Sequence, residues 1–218
     1  MKNIGIIICL MYSIAACMAA EYDFRFAVLK YDGGGDWYEA KVGVINLMKA
    51  LREASPMNPA PEPSVVSARD RELFLYPIIF INGHGNISFD DAEVRALRSY
   101  IEHGGFIFAN DDFGMNESFR REMKKVFPES GFVELPVTHE LYRSPYQFPA
   151  GLPKIHEHDG GPPKGYGIFH RGRLAVFYAF DADIADGWAD PEVHKTPEAK
   201  RREALHMGVN IILYGLTH

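Results

Sequence analysis

The chain has 218 residues, 47% of them hydrophobic and 24% charged, with a formal net charge of −6. That length sustains one sizeable core and a single domain. The negative balance, with no run of Lys or Arg, argues against a nucleic-acid partner, because phosphate binding needs clustered positive charge.

The N-terminus reads as a targeting segment. Lys2 supplies a short positive region, the stretch from Ile4 to Ala16 is almost wholly apolar, and small residues follow. This is a secretory signal over residues 1–20, too short to span a bilayer. A second reading stands beside it: Ile14-Ala15-Ala16-Cys17 resembles a bacterial lipobox, with the signal ending at residue 16 and Cys17 carrying a lipid anchor. Either way the chain is expected to be exported to the periplasm or cell envelope, and membrane contact rests on Cys17 alone. The remaining residues, 21–218, form the single domain. Cys9 and Cys17 both lie in the targeting segment, so the domain has no thiol for a nucleophile, a disulfide or zinc.

Along the domain, Phe24 to Tyr31 predicts a strand and Asp32-Gly33-Gly34-Gly35-Asp36 a loop. Apolar residues at Val42, Ile45, Leu47, Met48 and Leu51 recur at helical spacing between Trp37 and Ala54. Four prolines from Pro56 to Pro63 make an extended connector, and Val65-Val66 is a short strand. The run Pro77 to Asn82 reads as a strand buried on both faces, with Gly83-His84-Gly85-Asn86 as the loop after it. Ser88 or Asp90 caps a helix from Asp91 to His103, and Gly104-Gly105 ends it. Phe106 to Ala109 is the next strand, and a helix starts near Asn116 and stops at Pro128. The alternation of strand and helix predicts an α/β fold with a mostly parallel sheet covered on both faces. Residues 132–163 are looser. Arg171-Gly172 joins two strands as a tight hairpin, and Glu198 to Tyr214 is a closing helix.

Ligands of open parallel sheets bind beyond the C-terminal strand ends. There this sequence places Asp32 to Asp36, Gly83 to Asn86, Asn110-Asp111-Asp112, and Asp181, Asp183 and Asp186. In Ile155-His156-Glu157-His158-Asp159, alternation sets both imidazoles on one side, a spacing able to grip a metal ion with a carboxylate from a neighbouring loop. On this reading Asp111, Asp112 and His84 are catalytic. Asp32, Gly33, Gly34, Asp36, Gly83, Asn86, Asn110 and Asp181 line a ligand. His156, His158 and Asp183 hold a divalent ion, for which Zn, Mn or Fe suits nitrogen and carboxylate donors better than Ca. The plain alternative is that Asp111 and Asp112 cap the helix near Asn116 or bond turn amides. The remaining histidines, His103, His139, His170, His194, His206 and His218, read as surface or structural residues. The triple glycine lacks the Lys-Ser/Thr of a phosphate loop.

The stretches FRFAVLKYDGGGDWY, FINGHGNISF, GGFIFANDDFGMNESFRREMKKVFP, GLPKIHEHDGGPP and VFYAFDADIADGWADPEVH resemble the bacterial family called domain of unknown function 4159, over about Tyr22 to His218. That family is grouped with class I glutamine amidotransferase-like domains. The resemblance implies a flavodoxin-like three-layer sandwich and no established activity. True amidotransferases carry a Cys at a strand-to-helix elbow and a later His-x-Glu pair. Here the matching elbow is the turn after Ala109, occupied by Asn110-Asp111-Asp112, so a thiolate mechanism is excluded.

Two functions follow as expectations. One is an inert module that binds a small polar ligand or an envelope protein through its rim. The other is a metal-assisted hydrolase acting on a carbohydrate or another polar metabolite, with His84, Asp111, Asp112, His156, His158 and Asp183 as its site.

Overall fold

The computed structural model describes residues 22–158 and 160–218. The expected export signal, Cys9, Cys17 and Asp159 lie outside them. Seven strands form one sheet: β1 (Ala27–Lys30), β2 (Ser64–Ser67), β3 (Ile78–His84), β4 (Phe106–Phe113), β5 (Val133–Glu134), β6 (Lys164–His170) and β7 (Arg173–Phe180). Five helices accompany them: α1 (Lys41–Ala54), α2 (Asp91–Glu102), α3 (Asn116–Val126), the single turn α4 (Pro191–His194) and α5 (Glu198–Thr217). No helix among the described residues is long and apolar enough to cross a membrane.

The strand order is β2-β1-β3-β4-β7-β6-β5. Neighbours from β2 to β7 are parallel, whereas β6 runs antiparallel to both β7 and β5. The expected mostly parallel sheet is thus corrected to a mixed one. Turn length is the cause. Arg171 and Gly172, at φ 50° and 82°, close β6 onto β7 in two residues, and a parallel return needs a crossover of roughly a dozen.

Side-chain alternation explains the unbroken apolar runs. Ile78 and Phe80 of β3 face a core with Val44, Leu47, Met207 and Ile211 of α1 and α5. Ile79 and Ile81 face the opposite core, with Leu97, Ile101, Phe119 and Met123 of α2 and α3. Both faces of Ile78 to Ile81 and Phe106 to Ala109 pack against helices, which is why these runs are apolar without a break. Helix α2 starts where Asp90 accepts the amides of Ala92 and Glu93 at 2.9 Å, while Glu93 accepts the Asp90 amide at 2.9 Å, a reciprocal cap.

Two features depart from the sequence reading in ways that set the site. Gly83 and His84 belong to β3, and Asn110, Asp111 and Asp112 belong to β4, so the supposed elbow is strand interior. The chain turns only at Gly114, at φ 74°. Second, the turn Asp186–Trp188 sits against α1 because Gly43 has no side chain. A Cβ there would stand 3.2 Å from the Trp188 Cβ and from the Ala185 carbonyl. Trp188 is fully buried, and its Nε1 donates to the Ala204 carbonyl at 2.9 Å, which fixes this turn to α5.

Candidate functional site

The period of two along β4 divides its polar residues between the faces of the sheet. Asn110 and Asp112 continue the row of Phe106 and Phe108 towards α1 and α5, and Asp111 continues that of Ile107 and Ala109. Asp111 accordingly accepts the Met115 amide at 3.0 Å and the Tyr178 hydroxyl at 2.7 Å, ordering the entry to α3. These bonds tether the turn before α3 to β4 and β7.

Asn110 pairs with Asn82 across adjacent strands. Its Nδ2 donates to Asn82 Oδ1 at 2.9 Å and to Asp112 Oδ1 at 2.6 Å, and its Oδ1 accepts the Ile184 amide at 2.9 Å. Asn82 Nδ2 donates to Asp112 Oδ2 at 2.6 Å. Asn110 is fully buried, and its amide is engaged at both ends with protein, so it supports Asp112 and the loop after β7. Asp112 itself is 3% exposed. Burial, then the Asp183 charge, raises its pKa well above the carboxylate range.

The loop after β7 is shaped by two residues in the left-handed region, Asp181 at φ 51° and Asp183 at φ 54°. Non-glycine residues pay for that conformation, and such strain gathers at functional sites. Asp183 is 1% exposed. His156 Nδ1 lies 2.9 Å and His158 Nε2 3.0 Å from its Oδ2, while its Oδ1 is buried without any hydrogen-bond partner. Burial and the nearby Asp186 push the Asp183 carboxyl up to about 8. His156 is held in turn. Its Nε2 is 3.2 Å from Thr196 Oγ1, and its Nδ1 is 3.1 Å from Asp186 Oδ2. Burial lowers the His156 pKa, against the pull of Asp186. The His158 ring lies against Phe113, with centroids 5.3 Å apart. Asp186 also receives His194 Nδ1 at 3.2 Å.

Two sets of ligand atoms therefore converge: His156, His158 and Asp183, and Asp112, Asp183 and Asp186, each within 4.8 Å of one another. Nitrogen with carboxylate suits Zn, Mn or Fe. A hydrogen bond from the far nitrogen, as from His156 to Thr196, is the usual support of a metal-binding imidazole.

The other sequence-singled residues sit around this centre. Asp36 accepts the His84 amide at 2.5 Å and meets His84 Nδ1 at 2.9 Å. His84, Asn82, Asp112 and Asp186 line one cleft of about 180 Å³ with Val42 and Val193. Asp181 is tied to Lys154 Nζ at 2.9 Å. Burial opposes the Lys154 charge, but its bonds to Asp181 and Glu157 outweigh that and raise its pKa. Asp32, Gly33 and Asn86 join two loops beside it: Ser88 N donates to the Asp32 carbonyl at 2.7 Å and Asn86 Nδ2 to that of Gly33 at 3.1 Å, with open space around Gly34. Gly83 allows the close pass of β3, since a Cβ there would stand 2.5 Å from the Tyr31 hydroxyl.

Thr196 and Lys154 carried no signal in the sequence, and His194 was read as a surface histidine. Asp186 had one. It follows β7 with Asp181 and Asp183, among the rim carboxylates that the sequence places beyond the strand ends.

The site is thus built from nearly every segment quoted above, and those segments match one family model, Domain of unknown function (DUF4159), over residues 25–216. The chain belongs to the DUF4159 family. The match takes in every strand and all candidate metal ligands, so the rim belongs to the DUF4159 domain itself. No curated protein matches the chain.

Proposed function

We propose that this DUF4159 protein is a binding module of the cell envelope, exported by its N-terminal segment, whose rim holds a divalent transition-metal ion between His156, His158 and Asp183. One observation carries the reading. Two imidazole nitrogens converge on one buried carboxylate oxygen at 2.9 and 3.0 Å, and the second oxygen of that carboxylate has no donor. Three donors at such separations suit the coordination shell of one ion with bonds of ~2.0–2.2 Å. Helices on both faces and the parallel run from β2 to β7 support reading the shell as a flavodoxin-like, class I glutamine amidotransferase-like variant with an antiparallel edge. Its β4 segment carries Asn-Asp-Asp instead of a thiol, which fits binding better than amide transfer.

A second reading has a specific observation in its favour. His84, oriented by Asp36, shares a cleft with Asp112 and Asp186. A bound metal lowers the pKa of its water, and His84 is placed as a proton carrier beside it, as a hydrolase of carbohydrates or other polar metabolites would need.

The test is a thermal melt of the metal-stripped protein titrated with Zn, Mn, Fe, Ni, Mg and Ca. A ligand at ~100 times its dissociation constant adds ~2.7 kcal/mol, several degrees for a domain of this size. The expected result is a saturable rise with a transition metal, lost in His156→Ala. No rise with any ion overturns the proposal.

A further inference from the structure

We infer that the rim is a two-metal centre in which Asp183 bridges the ions, one oxygen to each. This rests on the metal reading above and extends it to a second ion held by Asp112 and Asp186.

The two ligand sets share Asp183 and nothing else. A bridging carboxylate needs its oxygens to serve different partners, and here they differ. Oδ2 receives both imidazoles, at 2.9 and 3.0 Å. Oδ1 is sealed in the protein, on a side chain 1% exposed, and no N–H or hydroxyl donor among the described residues reaches it. The neighbouring Asp112 carboxyl hydrogen-bonds Asp183 only while one of the two holds a proton, and a cation would take that proton's place. A buried carboxylate oxygen without a donor is costly, and a cation removes the cost. That orphan separates this cluster from an ordinary group of acidic side chains.

The second position is as firmly built as the first. Asn82 and Asn110 each hold one Asp112 oxygen at 2.6 Å, fixing the carboxylate plane. Asp186 stands on the turn that Trp188 and Gly43 lock to α5 and α1, and His194 Nδ1 steadies it at 3.2 Å. Charge counting agrees. Asp112, Asp183 and Asp186 carry three negative charges when ionised, so one dication leaves an excess of one. A pair of dications reverses it, and a bridging hydroxide then balances the centre. Ions spaced ~3.5–4 Å apart by shared oxygen ligands are the usual two-metal arrangement.

The two positions also differ in kind. The first offers two nitrogens and the second only oxygens, so the first favours Zn or Fe and the second tolerates Mn or Mg. The cleft lined by His84, Asn82 and Val42 opens on Asp112 and Asp186, at the oxygen-ligated ion. Among the described residues no Lys or Arg lines it, so an anionic ligand there would be held by that ion.

The experiment loads the metal-stripped full chain with Mn, counts bound metal after equilibrium dialysis, and records its electron paramagnetic resonance spectrum. The expected result is two Mn per chain with the exchange-coupled spectrum of a bridged pair. Asp186→Asn, at a partly exposed side chain outside the core, is expected to retain one Mn with an uncoupled spectrum. Asp112→Asn is expected to do the same, and Asp183→Asn to lose the coupling. Circular dichroism of each variant separates lost metal from lost fold. One Mn per chain at saturation, or two without coupling, overturns the bridged pair and leaves the single-ion reading standing. No bound Mn overturns the bridged pair, and when no other ion shifts the melt either, it overturns the single-ion reading too.

Discussion

Replacing Asn110 tests whether the rim is held by its amide or merely surrounds it. The side chain is fully buried and makes three hydrogen bonds, to Asn82, Asp112 and the Ile184 amide. Truncation to Ala removes all three and leaves the buried Ile184 N–H and Asp112 Oδ1 without these partners. A net hydrogen bond contributes about 1 kcal/mol and a stranded buried group costs about 1–3 kcal/mol, so Asn110→Ala should lose roughly 3–5 kcal/mol. At about 2–4 °C per kcal/mol for a chain of this length, the melting temperature falls by roughly 6 °C or more. Asn110→Asp sharpens the test. It keeps an oxygen for the Ile184 amide but sets a second carboxylate where Nδ2 now stands, 2.6 Å from Asp112 Oδ1. That new carboxyl is pushed above its unfolded pKa, so the native state binds the extra proton. Stability then recovers as pH falls and is lost as pH rises. Chemical and thermal denaturation at two pH values read both effects. An Ala variant that unfolds with the parent chain, or an Asp variant indifferent to pH, refutes the reasoning.

Other consequences are equally direct. In the metal-stripped protein, Asp183 is raised to about 8, against ~4 when unfolded. Asp112 and Asp186 face it with like charge, and His156 and His158 face it as partners. Its contribution is full below the unfolded value and lost as pH climbs towards the folded one, so the parent should lose more stability from pH 5 to 8 than Asp183→Asn; equal slopes in urea titrations would contradict this. Tyr178→Phe deletes the 2.7 Å bond to Asp111 and should cost about 1–2 kcal/mol in urea unfolding, without change in metal uptake. Reduced uptake would place Asp111 in the metal site. Gly83→Ala forces a Cβ to within 2.5 Å of the Tyr31 hydroxyl and 2.8 Å of Asp36 Oδ1, at φ 139°. It should destabilise by about 1–3 kcal/mol, and a neutral result would show that β3 has room there.

Much of this architecture was legible from residues alone. The apolar runs at Ile78 to Ile81 and Phe106 to Ala109 announce buried strands, Ser88 or Asp90 marks a helix start that the structure places at Asp90, and Arg171-Gly172 announces a hairpin. The spacing of His156 and His158 pointed to a shared partner, and the two rings do meet at Asp183 Oδ2. What failed has a physical cause. Polarity suggested that β3 and β4 stop at Asn82 and Ala109, but these strands continue because each polar side chain finds a partner across the sheet or from a neighbouring loop. Sequence does not show which face a carboxylate takes once the strand end is misplaced: Asp111 bonds Tyr178 and Asp112 bonds Asn82, while both border the small cleft beside His158 and Asp181. The outer strand β5 hid in the loose region because it has only two residues. His194 and Thr196 enter the site through a short turn, with no periodicity to mark them.

The left-handed backbone at Asp181 and Asp183 has a consequence for how this family can drift. Those positions would be more comfortable as glycine, which adopts φ near 50° without penalty. A copy released from the need for a charged rim would be rid of this local backbone penalty by turning either position to glycine, giving up only the bonds that Asp181 makes to Lys154 and Asp183 to the two histidines. A chain that keeps aspartate at both keeps the backbone penalty together with those bonds, and the persistence of that pairing among copies is a record of use that can be checked without knowing the ligand.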